Sequence, residues 1–150
     1  MLRDRFMSDL KEAMKAGEKP RLGTIRLIQA ALKDKDIEAR GAGKGPIPDD
    51  EILQLLQKMV KQRQESAKMY GDGGRPELAD QENAEIAIIS VYLPQQMDEA
   101  ESRAAIAAVI AETGAAGVKD MGKVMAALKA RHAGQMDFGK ASPLVKQLLG

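Results

Sequence analysis

The sequence contains no cysteine, no tryptophan and a single histidine, His132. Without cysteine there are no disulfides, no thiolate nucleophiles and no Cys-ligated metals. One histidine cannot build a multi-His metal site, and it argues against a Ser/His or Cys/His catalytic pair. Aromatic residues are reduced to Phe6, Phe138, Tyr70 and Tyr92. No apolar run approaches the roughly 18 residues of a membrane span. Arg3, Asp4 and Arg5 are not followed by the apolar stretch of a signal peptide. These gaps predict a soluble, cytoplasmic protein with no membrane association, no metal, no cofactor and no active site of its own.

What remains is 150 residues rich in aliphatic side chains, with nine methionines. That length suits one domain or two small ones, and such a chain buries roughly 68–70% of its unfolded surface. Methionine suits the irregular gaps between packed helices. The formal net charge is only +1, but it is unevenly distributed. Residues 1–70 carry 15 basic and 11 acidic side chains, residues 71–100 carry 1 and 7, and residues 101–150 carry 7 and 4. A basic–acidic–basic layout allows a local anion-binding face that the total conceals, and equally describes an ordinary solvated surface.

The apolar periodicity is helical nearly throughout. Leu2, Phe6, Leu10 and Met14 form one stripe, closed by Gly17. Leu22, Ile25, Ile28 and Leu32 form a second, and residues 41–48 are a Gly/Pro-rich loop. Asp49 and Asp50 are expected to cap a third helix carrying Ile52, Leu55, Leu56, Met59 and Val60, ended by Gly71, Gly73 and Gly74. Pro76 opens a fourth, expected to end at Leu93 before Pro94. Asp98 and Glu101 have capping-box spacing, and the helix they start closes at Gly114. Two short helices follow, at about 120–132 and 141–149. The expectation is an all-α chain of about seven helices in two units: an N-terminal helical bundle over 1–93 and a three-helix domain over 94–150.

The C-terminal part contains a duplicated element. Residues 117–129 and 134–146 align at an offset of 17, with Gly117/Gly134, Asp120/Asp137, Gly122/Gly139, Lys123/Lys140 and Lys129/Lys146 identical. Asp120 and Asp137 are the expected N-caps, and Met121 and Phe138 are apolar first-turn residues. Gly122 and Gly139 each cost about 1 kcal/mol against Ala inside a helix. A close approach by another backbone, as at a helix crossing, or by a ligand would explain them. Lys123 and Lys140 sit at the helix end where a cation is electrostatically disfavoured. A positive side chain beside free N–H groups has the composition of an anion site. Both copies spell Gly-x-x-x-x-Gly-Lys, yet Val124 and Ala141 stand where a P-loop needs Ser or Thr, so nucleotide hydrolysis is not expected.

Other charged residues have plainer readings. His132 suits a helix C-terminus. Glu82 and Glu85 read as a solvated acidic face. Lys58, Lys61 and Lys68 read as a solvated or phosphate-facing stripe that Arg21 and Arg26 could join. Only Tyr70 and Tyr92 look available for base stacking, too few for an aromatic single-strand platform. Backbone and shape recognition of a folded RNA needs few aromatics.

Lys61-Gln62-Arg63 with Ser66, Glu82 and Glu85, then Tyr92-Leu93-Pro94, Gly114-Ala115 and Lys119-Asp120-Met121-Gly122-Lys123-Val124-Met125, resemble the YqeY family. The ending, Asp137-x-Gly139-Lys140 to Val145-Lys146 and Leu149, is similar to it as well. The resemblance implies an all-α, two-part fold. The C-terminal part would be similar to the tail domain of GatB, a component of the glutamine-dependent aminoacyl-tRNA amidotransferase, where it is a tRNA-contacting appendage. Such tails also occur on a glutaminyl-tRNA synthetase. The label carbon–nitrogen ligase with glutamine as amide donor describes the larger enzyme, whose catalytic domains have no counterpart in this sequence. Gly134-Gln135-Met136 departs from the basic, glycine-rich turn expected before the second Asp.

The resulting expectation is a non-catalytic tRNA-binding accessory module. Lys119, Lys123, Arg131, Lys140 and Lys146 would contact phosphates, with Asp120 and Asp137 capping and Gly122 and Gly139 permitting close approach. The rival expectation is a protein-interaction module docking on an amidotransferase, an aminoacyl-tRNA synthetase or another translation complex. An amidotransferase-type enzyme is disfavoured, because no nucleophile–base set can be assembled.

Overall fold

A computed structural model describes residues 1–150. Seven α-helices and no strand account for the regular structure: α1 (Leu2–Ala16), α2 (Lys19–Gly41), α3 (Asp49–Asp72), α4 (Pro76–Ser90), α5 (Glu99–Thr113), α6 (Met121–His132) and α7 (Phe138–Leu149), with a 3₁₀ turn at Val118–Asp120. The all-α expectation and the helix count hold. No helix is long and apolar enough to cross a membrane. The chain divides into two compact units, Met1–Leu93 and Pro94–Gly150.

In the first unit, α1 to α4 enclose Phe6, Ile25, Ile28, Ile52, Leu56 and Ile89, all fully buried. Gly17 takes φ 67° and turns its N–H back onto the last carbonyls of α1, a conformation that favours glycine. The α1 stripe differs from the expectation at its end: Met14 is exposed and Ala13 is buried. The reason is geometric. A four-residue step overshoots a helical turn by about 40°, so three steps carry Met14 about 120° away from Leu2. Ala13, seven residues after Phe6, returns to within about 20° of it.

Pro48, not an aspartate, holds the N-cap position of α3. Asp49 and Asp50 lie inside the first turn, where their charge complements the dipole, and Asp49 accepts the Leu2 N–H at 3.3 Å. The loop ahead of α3 is clamped by Arg3. Its guanidinium forks onto Asp36 at 2.7 and 2.8 Å and donates to the Ile47 carbonyl at 2.9 Å. Asp36 also accepts the Ile47 N–H at 3.0 Å. The α4 helix stops at Ser90, three residues before Leu93, in a tight turn whose Tyr92 and Leu93 N–H groups bond the Ile89 and Ser90 carbonyls.

Tyr92 is not a free stacking platform: it is buried in this core. Its ring meets Phe6 edge-on with centroids 4.8 Å apart, and its hydroxyl donates to Asp9. Burial pushes the Tyr92 phenol well above its ordinary range, and the Asp9 carboxylate adds to the shift.

In the second unit, α5, α6 and α7 pack around Ile106, Val109, Val124, Leu128, Met136, Ala141 and Val145. Asp98 caps α5 by accepting the Glu101 N–H at 2.8 Å. The residues ahead of α5 strap the α6–α7 turn, with Met97 N–H donating to Gln135 at 2.8 Å and the Gln96 amide donating to the Gly134 carbonyl. Met136, in the turn where a basic loop was absent, is a core residue at 2% exposure.

Candidate nucleic-acid interface

The two copies of the duplicated element are not built alike. Asp137 caps α7, its carboxylate accepting the N–H of Gly139 at 2.9 Å and of Lys140 at 3.4 Å. Asp120 stands before α6 but makes no bond to that helix's first turn. Its carboxylate instead accepts the Ala116 N–H at 2.9 Å, closing the 3₁₀ turn. The expected capping role therefore applies to Asp137 and is corrected for Asp120. The inserted 3₁₀ turn places the Asp120 side chain on the preceding loop.

The glycines also differ. A Cβ on Gly122 would have no neighbour within 4 Å, so no helix crossing accounts for it. A Cβ on Gly139 would lie 3.1 Å from Asp137 Oδ1, which is the capping oxygen. Met121 and Phe138 are partly buried against the core of this unit, fixing the start of each helix. The second short helix begins at Phe138, three residues ahead of the expected 141, because the Asp137 cap starts it there. Pro143 lies inside α7 and brings no N–H to the carbonyl four residues earlier, that of Gly139.

The five candidate phosphate contacts fall into distinct environments. Lys123 donates from Nζ to the Thr113 carbonyl at 3.0 Å, at the C-terminus of α5. Arg131 pairs with Glu112. Lys119, Lys140 and Lys146 are exposed and have no carboxylate partner. The two copies do not converge on one point. Lys123 lies in the first turn of α6, whereas Lys140 follows its far end, and the 12 residues of α6 span about 18 Å. Lys119 and Lys123 thus mark one end of α6, and Arg131 and Lys140 the other.

The acidic side chains of this unit are mostly turned to internal work. Asp98, Asp120 and Asp137 accept backbone N–H groups, while Glu99 and Glu112 hold Arg103 and Arg131. His132, at the end of α6, meets Gln135 at 3.0 Å. No cluster of His, Cys, Asp and Glu is arranged to hold a metal ion.

Two charged features of the first unit depart from the sequence reading. Glu85 is a partner, not a solvated acid: it accepts from Arg63 Nε at 2.8 Å, and Arg63 also donates to the Met59 carbonyl at 3.1 Å. Arg21 does not extend a basic stripe, because Asp9, Glu12 and Glu18 surround it at 3.7, 3.8 and 3.3 Å. Hydrogen bonding to Glu18 holds its guanidinium above its usual range.

The fold is that of a small, all-α protein of two compact units, the second carrying two Asp-x-Gly-Lys helix starts. The chain belongs to the YqeY family: the family model described as Yqey-like protein matches residues 3–149. Among curated proteins it is similar to "Altered inheritance of mitochondria protein 41, mitochondrial" of Pyrenophora tritici-repentis. The two are 28% identical over 97% of this chain and 80% of that protein. The proteins of the same name in Lachancea thermotolerans and Clavispora lusitaniae are 33% and 37% identical, over 69% and 61% of this chain. The match spans only 55% and 52% of those two relatives.

Proposed function

We propose that this YqeY-family chain is a non-catalytic tRNA-binding accessory protein, reading shape and phosphate backbone through its second unit. The observation that supports this reading is the imbalance of partnering in that unit. All but one of its six carboxylates, Glu101 excepted, are bound to backbone N–H groups or arginines, leaving Lys119, Lys140 and Lys146 exposed and unpaired. Gly122 adds a stretch of helix start that carries no side chain and faces open space. Backbone recognition requires cations and accessible N–H groups, and makes little demand on aromatics. The relatives are named as mitochondrial proteins, so an organellar tRNA pool is as natural a target as a cytoplasmic one.

The test uses Lys119, Lys140 and Lys146, because Lys123 and Arg131 already have partners within the fold. An electrophoretic shift with bulk tRNA at low salt compares the wild type with Lys119→Glu/Lys140→Glu/Lys146→Glu. The triple variant is expected to weaken binding and to flatten the salt dependence by about 0.7–0.9 in slope for each lost contact. Equal binding by the two proteins, or none by either, overturns the reading.

A further inference from the structure

The first unit carries a surface outside the proposed tRNA interface. Glu77, Asp80, Ala84, Ala87, Ile88 and Val91 recur at three- and four-residue spacing, and so share one side of α4 and its C-terminal turn. This is the side away from the core residue Ile89. Glu77, Asp80, Ala84 and Ala87 are exposed, and Val91 is exposed to 66%. The stripe is acidic at its start and apolar at its end. Within Pro76–Ser90 there are four acidic side chains and no basic one.

At the apolar end the surface opens into a pocket of about 310 Å³ lined by Arg21, Ala87, Ile88, Val91 and Tyr92. Its aromatic wall is fixed, since Phe6 and Asp9 hold Tyr92. The guanidinium at its edge offers little attraction to an anion, because Asp9, Glu12 and Glu18 surround Arg21 within 3.8 Å. Arg5 lies 4.9 Å from the centroid of the Tyr92 ring. These three carboxylates outnumber the two guanidiniums, and Glu77 and Asp80 extend the negative charge along the helix. The pocket volume is at the lower limit for a small-molecule site and suits a single apolar anchor side chain. An acidic approach to an apolar socket repels phosphates and complements a cation-bearing, apolar ligand.

We propose that the outer face of α4 docks a basic amphipathic helix of a partner protein. One apolar side chain of that helix fills the pocket between Val91 and Tyr92, and Lys or Arg side chains lie over Glu77 and Asp80. From Glu77 to Val91 the face runs about 21 Å, so the partner helix needs roughly four turns. This surface belongs to the first unit, and the tRNA reading rests on the second, so either can fail alone.

The experiment uses the full chain and a fluorescein-labelled, 18-residue Leu/Lys amphipathic peptide. A Leu/Glu peptide with the same apolar positions is the comparison. In fluorescence anisotropy the Leu/Lys peptide is expected to bind and the Leu/Glu peptide is not. Val91→Asp is expected to weaken binding at least tenfold, and the exposure of Val91 leaves the core intact in that variant. Glu77→Lys/Asp80→Lys is expected to weaken binding about tenfold and to reduce its salt dependence. Asp50→Lys/Glu51→Lys makes the same charge change on α3 and should leave binding unchanged. Hydrogen exchange with peptide bound should show protection over residues 76–92. The proposal is overturned if neither peptide binds, or if Val91→Asp binds as the wild type does. It also fails if the α3 pair weakens binding as much as the α4 pair. Protection of 76–92 by bulk tRNA, or a dimer in sedimentation that Val91→Asp abolishes, would likewise replace the partner helix with another occupant.

Discussion

Lys123 reaches ten residues back along the chain, its Nζ lying 3.0 Å from the carbonyl oxygen of Thr113. Thr113 is the last residue of α5, so one ammonium stands in the first turn of α6 and at the negative end of α5. The unfavourable interaction with the α6 dipole is offset by a favourable one with α5, strengthened by a charge-assisted hydrogen bond. Lys123→Met should therefore lower the stability of the second unit by about 0.5–1.5 kcal/mol. Urea unfolding monitored by circular dichroism measures this, and a midpoint unchanged from the wild type would show that the bond contributes nothing.

The two repeated glycines should respond oppositely to alanine. Gly122→Ala is expected to stabilise by about 0.5–1 kcal/mol, because the added Cβ enters open space and the unfolded chain loses freedom. Gly139→Ala should give no gain or a loss, because its Cβ would press on Asp137 Oδ1, which two backbone N–H groups hold in place. Thermal unfolding of the two variants side by side decides this. If Gly122→Ala weakens tRNA binding while raising the melting temperature, the bare helix start serves RNA contact and not folding.

The Arg3–Asp36 fork should make the first unit acid-sensitive. Hydrogen bonding to Arg3 holds the Asp36 carboxyl below its usual range, and the Ile47 N–H lowers it further. A carboxyl whose folded pKa is depressed contributes stability above its unfolded pKa of about 4 and loses it as pH falls through the folded value. Asp36→Asn should cost about 1–2 kcal/mol at neutral pH, part of the bond energy being screened by solvent. Denaturant midpoints at pH 7 and pH 3 provide the check. The difference between wild type and variant should shrink at the lower pH.

Tyr92 supplies an alkaline counterpart. Its phenol is raised above the ordinary value of about 10, so the neutral form is favoured in the fold. Its contribution is fully present below that unfolded value and declines as pH rises beyond it. Ultraviolet titration should show one of the two tyrosines ionising late, and only with unfolding. Tyr92→Phe removes the bond to Asp9 but keeps the ring against Phe6. It should cost about 0.5–1.5 kcal/mol, against roughly 3–5 kcal/mol for Phe6→Ala.

Much of the local structure was legible in the residues themselves. The apolar stripes, the stops at Gly17 and Gly114, Pro76 in a first turn, and the caps at Asp98 and Asp137 all follow from contacts within a few residues. Where the structure departs from local expectation, the deciding partner is remote or the geometry drifts. Met14 left the core through accumulated helical rotation. Tyr92 was drawn inward by Phe6 and Asp9, more than eighty residues away in sequence. Asp120 looked identical to Asp137 in spacing, yet the preceding loop captured its carboxylate.

The sequence by itself determined the class of fold and the inventory of chemistry. Helical periodicity with local caps left no room for a sheet, and the missing cysteines and single histidine removed most catalytic constellations. Only the tertiary structure decided which charges remain available. Lys123 and Lys140 occupy equivalent positions in the repeat, but α5 ends beside the first and not the second, so one ammonium holds a carbonyl while the other faces solvent. Such assignments depend on which helix terminus or carboxylate packs nearby, and that proximity arises only when helices distant in sequence come together.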